Sequence, residues 1–203
     1  APRARPLSAS ENQTSKNGAY GASFVTTDGG DTWDFEAVDP EWDYHLHRIA
    51  RSDSGRLYIA AEAGIAYRSD DDGATWTELP SPYEGSFFGV LPLDDDVVLL
   101  FGLRGHLYRS EDAGETWTEV DTGTMAMLTN GIRLTDGRVV ITGLAGTLLV
   151  SDDQGLTFDA VPQPDRGAIQ AVTQKADGNL LVGGDFGVRT IALSDLDAGE
   201  VAP

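Results

Sequence analysis

The feature that most constrains this chain is one eight-residue string written four times at nearly constant spacing. It reads TTDGGDTW from Thr26 to Trp33, SDDDGATW from Ser69 to Trp76, SEDAGETW from Ser110 to Trp117 and SDDQGLTF from Ser151 to Phe158. The third residues are Asp28, Asp71, Asp112 and Asp153, so the steps are 43, 41 and 41 residues. A glycine stands seven residues before each aspartate, at Gly21, Gly64, Gly105 and Gly146, and Gly187 continues the 41-residue step where no intact string follows. A fixed period of this length marks a repeat architecture, in which each small unit buries its apolar faces only by stacking on its neighbours.

The text between the strings says what each unit is. In the third unit FFGVLPL, VVLLFG and HLYRS precede the string and TEVDT follows it, with short Gly and Asp turns between them. Runs of this length, rich in Val, Leu, Phe and Tyr, read as four short antiparallel strands. The second runs, RLYIA, VVLLF, RVVIT and NLLVG, are apolar almost without interruption, which predicts burial on both faces of each sheet. No stretch carries a helical period. Four strands per unit of about 41 residues is β-propeller spacing, so the expected fold is an all-β propeller of four fuller four-stranded units and a half-unit. The units fall at about 18–40, 41–81, 82–121, 122–162 and 163–195, making one domain over 18–195.

Residues 1–17 are polar where apolar strands should precede the first string, and read as a disordered or non-propeller tail; residues 196–203 form a C-terminal tail. At about 41 residues per unit this is an incomplete ring, a closed ring of about five units, or a chain with further units upstream.

Each string lies between the third and fourth strands of its unit. There the aspartate can accept backbone N–H groups, the glycine can take positive φ and the aromatic can plug the seam between sheets. A structural set follows: Asp28, Gly30 and Trp33; Asp71, Gly73 and Trp76; Asp112, Gly114 and Trp117; Asp153, Gly155 and Phe158. The calcium-loop alternative fails on spacing, because an EF-hand loop starting at Asp70 would need a glutamate twelfth and finds Ser81. No metal and no cofactor is expected.

Charge excludes some partners. The 203 residues carry 33 acids against 14 bases, a formal charge of −19, which repels phosphate backbones and anionic lipid. Nucleic acid and direct membrane insertion are therefore not expected, and no run approaches the roughly 18 apolar residues of a membrane helix. APRARPLSAS at the start has no apolar core of a signal peptide. Cysteine is absent, which removes thiol chemistry.

The four strings resemble the Asp-box, or bacterial neuraminidase repeat, of sialidases, xyloglucan-degrading propellers, sortilin-type receptors and the photosystem II stability and assembly factor family. The flanking text, GLRGHLYRSEDAGETWTEV and EAGIAYRSDDDGATWTELPSPYEGSFFGVLPL, resembles the last group, in its branch from non-photosynthetic bacteria, over roughly Gly18 to Ile191. The resemblance implies an extracytoplasmic, periplasmic scaffold that binds a protein partner without turnover. In that branch it further implies an accessory role beside a membrane transporter. Photosystem assembly itself fits poorly, since that role goes with an arginine-rich docking patch and this chain is acidic.

Strand alternation sorts the loops by rim. The strings and the turns SDSG, DDD, TDG and ADG share one rim; the second-to-third turns and the linkers between units share the other. The linker rim collects Trp42, Tyr44, His45, Glu62, Tyr83, Glu84, Arg104, Arg166, Asp185 and Phe186, a set of aromatics among mixed charges suited to protein docking. Each also has a plain reading: Trp42 and Tyr83 as packing aromatics, Glu84 with Arg104 as a rim ion pair. His45 and His47, two apart on a strand, would share a face but lack a third metal ligand. His106 reads as a packing residue. Asn12-Gln13-Thr14 matches a glycosylation acceptor.

Two functions compete. A glycosidase would need paired carboxylates, for which Glu62, Glu84 and Asp185 are the rim candidates, or a tyrosine (Tyr44, Tyr83) with an arginine cluster, of which Arg104 and Arg166 are the clearest members. A binding scaffold needs only a rigid repeat with variable loops, and is the favoured reading.

Overall fold

A computed structural model of the chain describes residues 14–18 and 20–199 and folds them into five antiparallel sheets in chain order. The first holds β1 (Thr14–Asn17), β2 (Ala22–Thr26) and β3 (Asp34–Ala37). The second holds β4 (Leu46–Arg51), β5 (Leu57–Ala61), β6 (Ala66–Ser69) and β7 (Thr77–Glu78). The third holds β8 (Phe87–Pro92), β9 (Val98–Gly102), β10 (Leu107–Ser110) and β11 (Thr118–Val120), and the fourth β12 (Leu128–Arg133), β13 (Val139–Gly143), β14 (Leu148–Ser151) and β15 (Asp159–Ala160). The fifth holds β16 (Ile169–Gln174), β17 (Leu180–Gly184) and β18 (Gly187–Ile191). Each strand pairs with its sequence neighbour, and β4, β8, β12 and β16 pack beside one another from sheet to sheet. Each of these four carries a bulge at its second residue, His47, Phe88, Thr129 or Gln170. These are propeller blades, fewer than a full ring.

The apolar second runs do what their composition requires. Every residue of β5, β9 and β13 is buried, and successive residues serve opposite seams. Ile59 and Ala61 pack toward the first sheet with Val38 and Tyr67, while Tyr58 and Ala60 pack toward the third with Leu79 and Phe87. In β9, Val98 and Leu100 face back and Leu99 and Phe101 face forward. Each large apolar side chain so buried stabilises by about 1.5–3 kcal/mol. The core is thus a row of slabs between sheets.

The ends depart from expectation in four ways. The first unit, the half-unit in which the sequence shows two strands over 18–38, has three, because residues 14–17 of the supposed tail pair with β2 from Thr14↔Thr26 to Asn17↔Ser23. The rest of that segment, with Asn12 of the glycosylation acceptor, lies outside the described residues. Among the described residues, and by position relative to its box, the first sheet has no innermost strand of a complete blade. The fifth, among the same residues, has no outermost one and so has three strands instead of four. The chain then continues in 3₁₀ turns from Leu193 to Gly199, and Leu196 is buried with Leu180 and Val182, so the core reaches into what the sequence assigns to a C-terminal tail.

The fourth departure is a slip of register. In the fourth sheet β13 meets β14 with Ile141↔Leu149 and Val139↔Ser151. In the fifth, Asp185 and Phe186 alone join Gly184↔Gly187, so Val182 faces Arg189 and Leu180 faces Ile191. The hairpin is one residue shorter, and Ile191 takes the place that the 41-residue step assigns to its successor. A one-residue slip turns every side chain over. Here it points Ile191 into the seam with the fourth sheet and leaves Val188 71% exposed.

Candidate functional site

The two rims are built on one backbone device used twice in each of the first four units. At the second-to-third turn, residues Tyr20, Ala63, Arg104 and Ala145 have φ of 55–57°, each followed by the repeat glycine at 65–79°. In the box, Asp72, Ala113 and Gln154 have φ of 59–61°, again followed by glycine. Glycine accepts this left-handed region without strain. The linker-rim glycines also permit close approach: a Cβ on Gly105 would collide with the Thr124 carbonyl, and one on Gly64 with the Tyr83 carbonyl.

On the box rim the aspartates are fully engaged. Asp112 Oδ1 accepts the Ser110 hydroxyl at 2.7 Å and the Thr116 N–H at 2.8 Å, while Oδ2 accepts the Thr116 hydroxyl at 2.6 Å. Asp28, Asp71 and Asp153 repeat the set with Thr26 and Thr32, Ser69 and Thr75, Ser151 and Thr157. The Ser or Thr hydroxyl in turn accepts the glycine N–H, at 2.8 Å in Gly73, Gly114 and Gly155 and 2.9 Å in Gly30. Hydrogen bonds from the threonine hydroxyl, then from its N–H, hold Asp28, Asp71 and Asp112 below the usual carboxylate range. At Asp153 partial burial pushes upward, and the Thr157 hydrogen bonds outweigh it. Trp76, Trp117 and Phe158 pack into the seam with the preceding sheet, and Trp33 Nε1 donates to the Gly30 carbonyl at 3.1 Å. The box carboxylates, hydroxyls and glycine N–H groups are thus bonded within their own turns. Among the described residues no group of three His, Asp or Glu side chains is placed to hold a metal ion.

Arginines tie successive boxes together. Arg68 donates to the Ala113 carbonyl at 2.9 Å and to Glu115 at 2.8 Å, and Arg109 donates to the Gln154 carbonyl at 3.0 Å while pairing with Glu111. Each clamps the left-handed residue of the next box. Val25 and Val150 occupy the equivalent places in the first and fourth sheets, so among the described residues only the second-to-third and third-to-fourth seams have this clamp.

The linker rim gathers the sequence-selected residues into three groups rather than one. The first is aromatic: Trp42, 57% exposed, stacks on Tyr44 at 5.7 Å, and Tyr20, 74% exposed, meets the His45 ring edge-on at 5.1 Å. Glu62 holds this group, accepting the His45 N–H at 2.7 Å and lying 3.7 Å from Nδ1. In the second, Tyr83 is half-buried on His106 at 4.3 Å and on Phe87 and Tyr108, which is the plain packing reading of that tyrosine. His106 lies 2.7 Å from Glu119, and a cavity of about 390 Å³ opens between Arg104, His106, Glu119 and Thr124. Glu84 and Arg104 are both exposed and are not paired with each other. In the third, Arg189 lies 3.9 Å from the Phe186 ring centroid and pairs with Asp165 at 3.0 Å, Asp185 accepts the Ala168 N–H at 3.1 Å, and Arg166 is exposed.

The histidine pair separates. His45 precedes β4 and turns to Glu62, while the bulge sends His47 onto Phe88 at 4.5 Å, so the two do not form a chelate. Sequence reasoning missed Tyr20 and Met125, which is 81% exposed in the linker after the third sheet. Tyr20 had a signal, since it precedes the repeat glycine as Arg104 does.

Four stacked sheets' worth of Asp-box turns, with loops freed on the opposite rim, define an Asp-box β-propeller. The family of the photosynthesis system II assembly factor YCF48 matches residues 11–182, and the chain belongs to that family. No relative is found among curated protein sequences. Among solved structures the chain is similar to YCF48 bound to D1 peptide, at 18% identity and a TM-score of 0.70, covering 88% of this chain and 61% of that one. It is also similar to YCF48 from Cyanidioschyzon merolae, at 18% identity and a TM-score of 0.71, covering 90% and 64%. The glycoside hydrolase GH74 enzyme of Niastella koreensis matches at 16% identity and a TM-score of 0.69, covering 91% and 34%. The chain therefore spans about three fifths of the YCF48 structures it matches.

Proposed function

We propose that this chain is a non-catalytic scaffold that binds a polypeptide partner through its linker rim, in the manner of an assembly or stability factor. The observation that carries the reading is the division of labour between rims. The box carboxylates are consumed in turns, while the opposite rim offers the exposed Tyr20 and Trp42, the latter stacked on the half-buried Tyr44, beside variable charges. Rigid exposed aromatics are favoured docking anchors because little side-chain entropy is lost when they are covered. Membership of the YCF48 family supports it, as does a relative solved with a D1 peptide. An extracytoplasmic, periplasmic location and a membrane transporter as client belong to the same proposal. The acidic chain favours a basic patch on the partner, with association that weakens as salt rises and the Debye length shortens.

The glycosidase reading draws on the GH74 likeness in fold. Two of its three rim carboxylates have other engagements, since Glu62 is bonded to the His45 N–H and Asp185 to the Ala168 N–H. The test is photo-crosslinking in the native host from positions 42 and 84 on the linker rim and 31 and 53 on the box rim. Polypeptide adducts from the first pair alone are expected. Adducts from the box rim alone would overturn the docking face. Cleavage of a sialoside or β-glucan that is lost in Glu84→Gln would install the enzyme reading instead.

A further inference from the structure

The fold ends on a sheet edge that adjoins the third group of the linker rim through Arg189. In the second, third and fourth sheets the third strand is covered by a short outer strand, whose following or final residue donates to it: Leu79 N–H to the Ala66 carbonyl at 2.9 Å, Val161 N–H to the Leu148 carbonyl at 2.8 Å. Among the described residues β18 is the last strand of the fifth sheet, and none of them covers its outer edge. Its residues Gly187, Arg189 and Ile191 occupy the places that bond back to β17, as Ile65 does in the second sheet by accepting the Ala61 N–H at 2.9 Å. The backbone groups of Val188 and Thr190 therefore point to the open edge. The slipped register matches Val188 to Leu148, the acceptor of the fourth sheet.

An open edge by itself says little, because proteins keep many. This one has a shaped partner site beside it. A cleft of about 380 Å³ is lined by Arg189, Thr190 and Ile191, by Val161, Pro162 and Pro164 of the preceding linker, and by Asp195. The 3₁₀ turns that follow β18 do not fill it: they fold toward the fourth sheet, where Asp197 pairs with Arg138 at 2.7 Å and Leu196 enters the seam. Val188 is 71% exposed and Leu181 36% exposed on the neighbouring face.

We propose that the free edge of β18 accepts an extended segment of a partner polypeptide as the missing fourth strand of the last sheet. Main-chain bonds to Val188 and Thr190 supply affinity, and alternate side chains supply selection, as in other strand additions. The fold itself describes the segment. The outer strands it already uses read TEL, TEV and DAV, two residues followed by an aliphatic one that is buried. An aliphatic residue at that place in the added strand would cover Val188. With Asp195 at the cleft and a net charge of −19, basic flanks are favoured.

The test uses a synthetic peptide of residues 115–122 with two added lysines, titrated against the full chain. Saturable binding is expected, with amide exchange at Val188 and Thr190 slowed at least tenfold. Thr190→Pro removes a donor that faces outward and leaves the ladder to β17 intact, since proline is tolerated at such edge positions; affinity should fall at least tenfold while amides of β17 stay protected. The same peptide N-methylated at the valine equivalent to Val120 should bind no better than the proline variant allows. The proposal is overturned if peptide fails to bind, if binding leaves the two amides unchanged, or if it survives both Thr190→Pro and N-methylation. It is also overturned if sedimentation finds the edge already covered by a second copy. Crosslinking from the linker rim is scored separately, so either site can fail alone.

Discussion

On the box rim four strings place their aspartates in the same set of hydrogen bonds, whereas on the linker rim the residue before the repeat glycine is Tyr20, Ala63, Arg104 or Ala145 in turn. The backbone on both rims is nevertheless repeated, with a left-handed pair at each turn. The difference teaches where side-chain identity is committed. A box turn is held by its own side chains, so the side chains cannot vary. A linker-rim turn is held by backbone, through glycine lying against the next linker and through main-chain bonds such as Leu103 N–H to the Ser86 carbonyl at 3.1 Å and Leu144 N–H to the Met127 carbonyl at 2.9 Å. Its side chains are free to be chosen for something else.

The hardest blow to that comparison is aimed at backbone on the freer rim. Gly105→Ala should destabilise by about 3–5 kcal/mol, since it adds a clash with the Thr124 carbonyl to the strain of positive φ. Gly123→Ala, with open space around its Cβ, should cost only about 1 kcal/mol. Denaturant melts of the two variants decide it, and equal losses would mean that the linker rim is not held by close approach. Next in size is the clamp: Arg109→Ala should cost about 2 kcal/mol, because it leaves the Gln154 carbonyl without its charged donor. Val150→Ala at the equivalent, unclamped place is the control for lost packing.

Asp112→Ala should cost roughly 1–2 kcal/mol at neutral pH, the net value of hydrogen bonds made in partial contact with water. The pH dependence gives it a signature. Its folded-state affinity for protons is depressed, so its contribution is present above the ordinary carboxylate range and is lost as pH falls through the lower, folded value. The gap between the parent chain and the variant should therefore hold from neutrality down to about pH 4 and narrow below it. A gap independent of acid would assign the effect to something other than the carboxylate. Smallest of all should be Trp42→Ser, within about 0.5 kcal/mol, because the ring is mostly exposed and serves no seam. A larger loss would return Trp42 to the packing aromatics.

The boxes, their turn chemistry and the assignment of loops to rims were legible because each rests on local spacing and strand alternation. Strand β1 was not, since TSKN has no apolar pattern and its place comes from main-chain pairing with β2. The burial of Leu196 was hidden for a different reason: it follows the last unit and fills a seam end that no repeat position predicts. The arginine clamps need a long side chain to cross between units, and nothing in the spacing reports its reach. Of the rim residues, the sequence placed all ten on loops of one rim, but their division among three groups follows from which linker lies against which turn.

The shortened hairpin of the fifth sheet bears on how such a chain can change length over time. Dropping one residue before a third strand turns that strand over, and any box that follows would carry its buried Ser69, Ser110 or Ser151 to the wrong face. A unit with an intact box can absorb only even changes there, whereas the fifth unit, having no box to misplace, accepts an odd one. Loss of the box and loss of the residue are then a linked pair of events, and the order is constrained: the box must decay first. Odd-numbered gaps in related chains should accordingly mark units that have already surrendered their box, a signature readable from lengths alone.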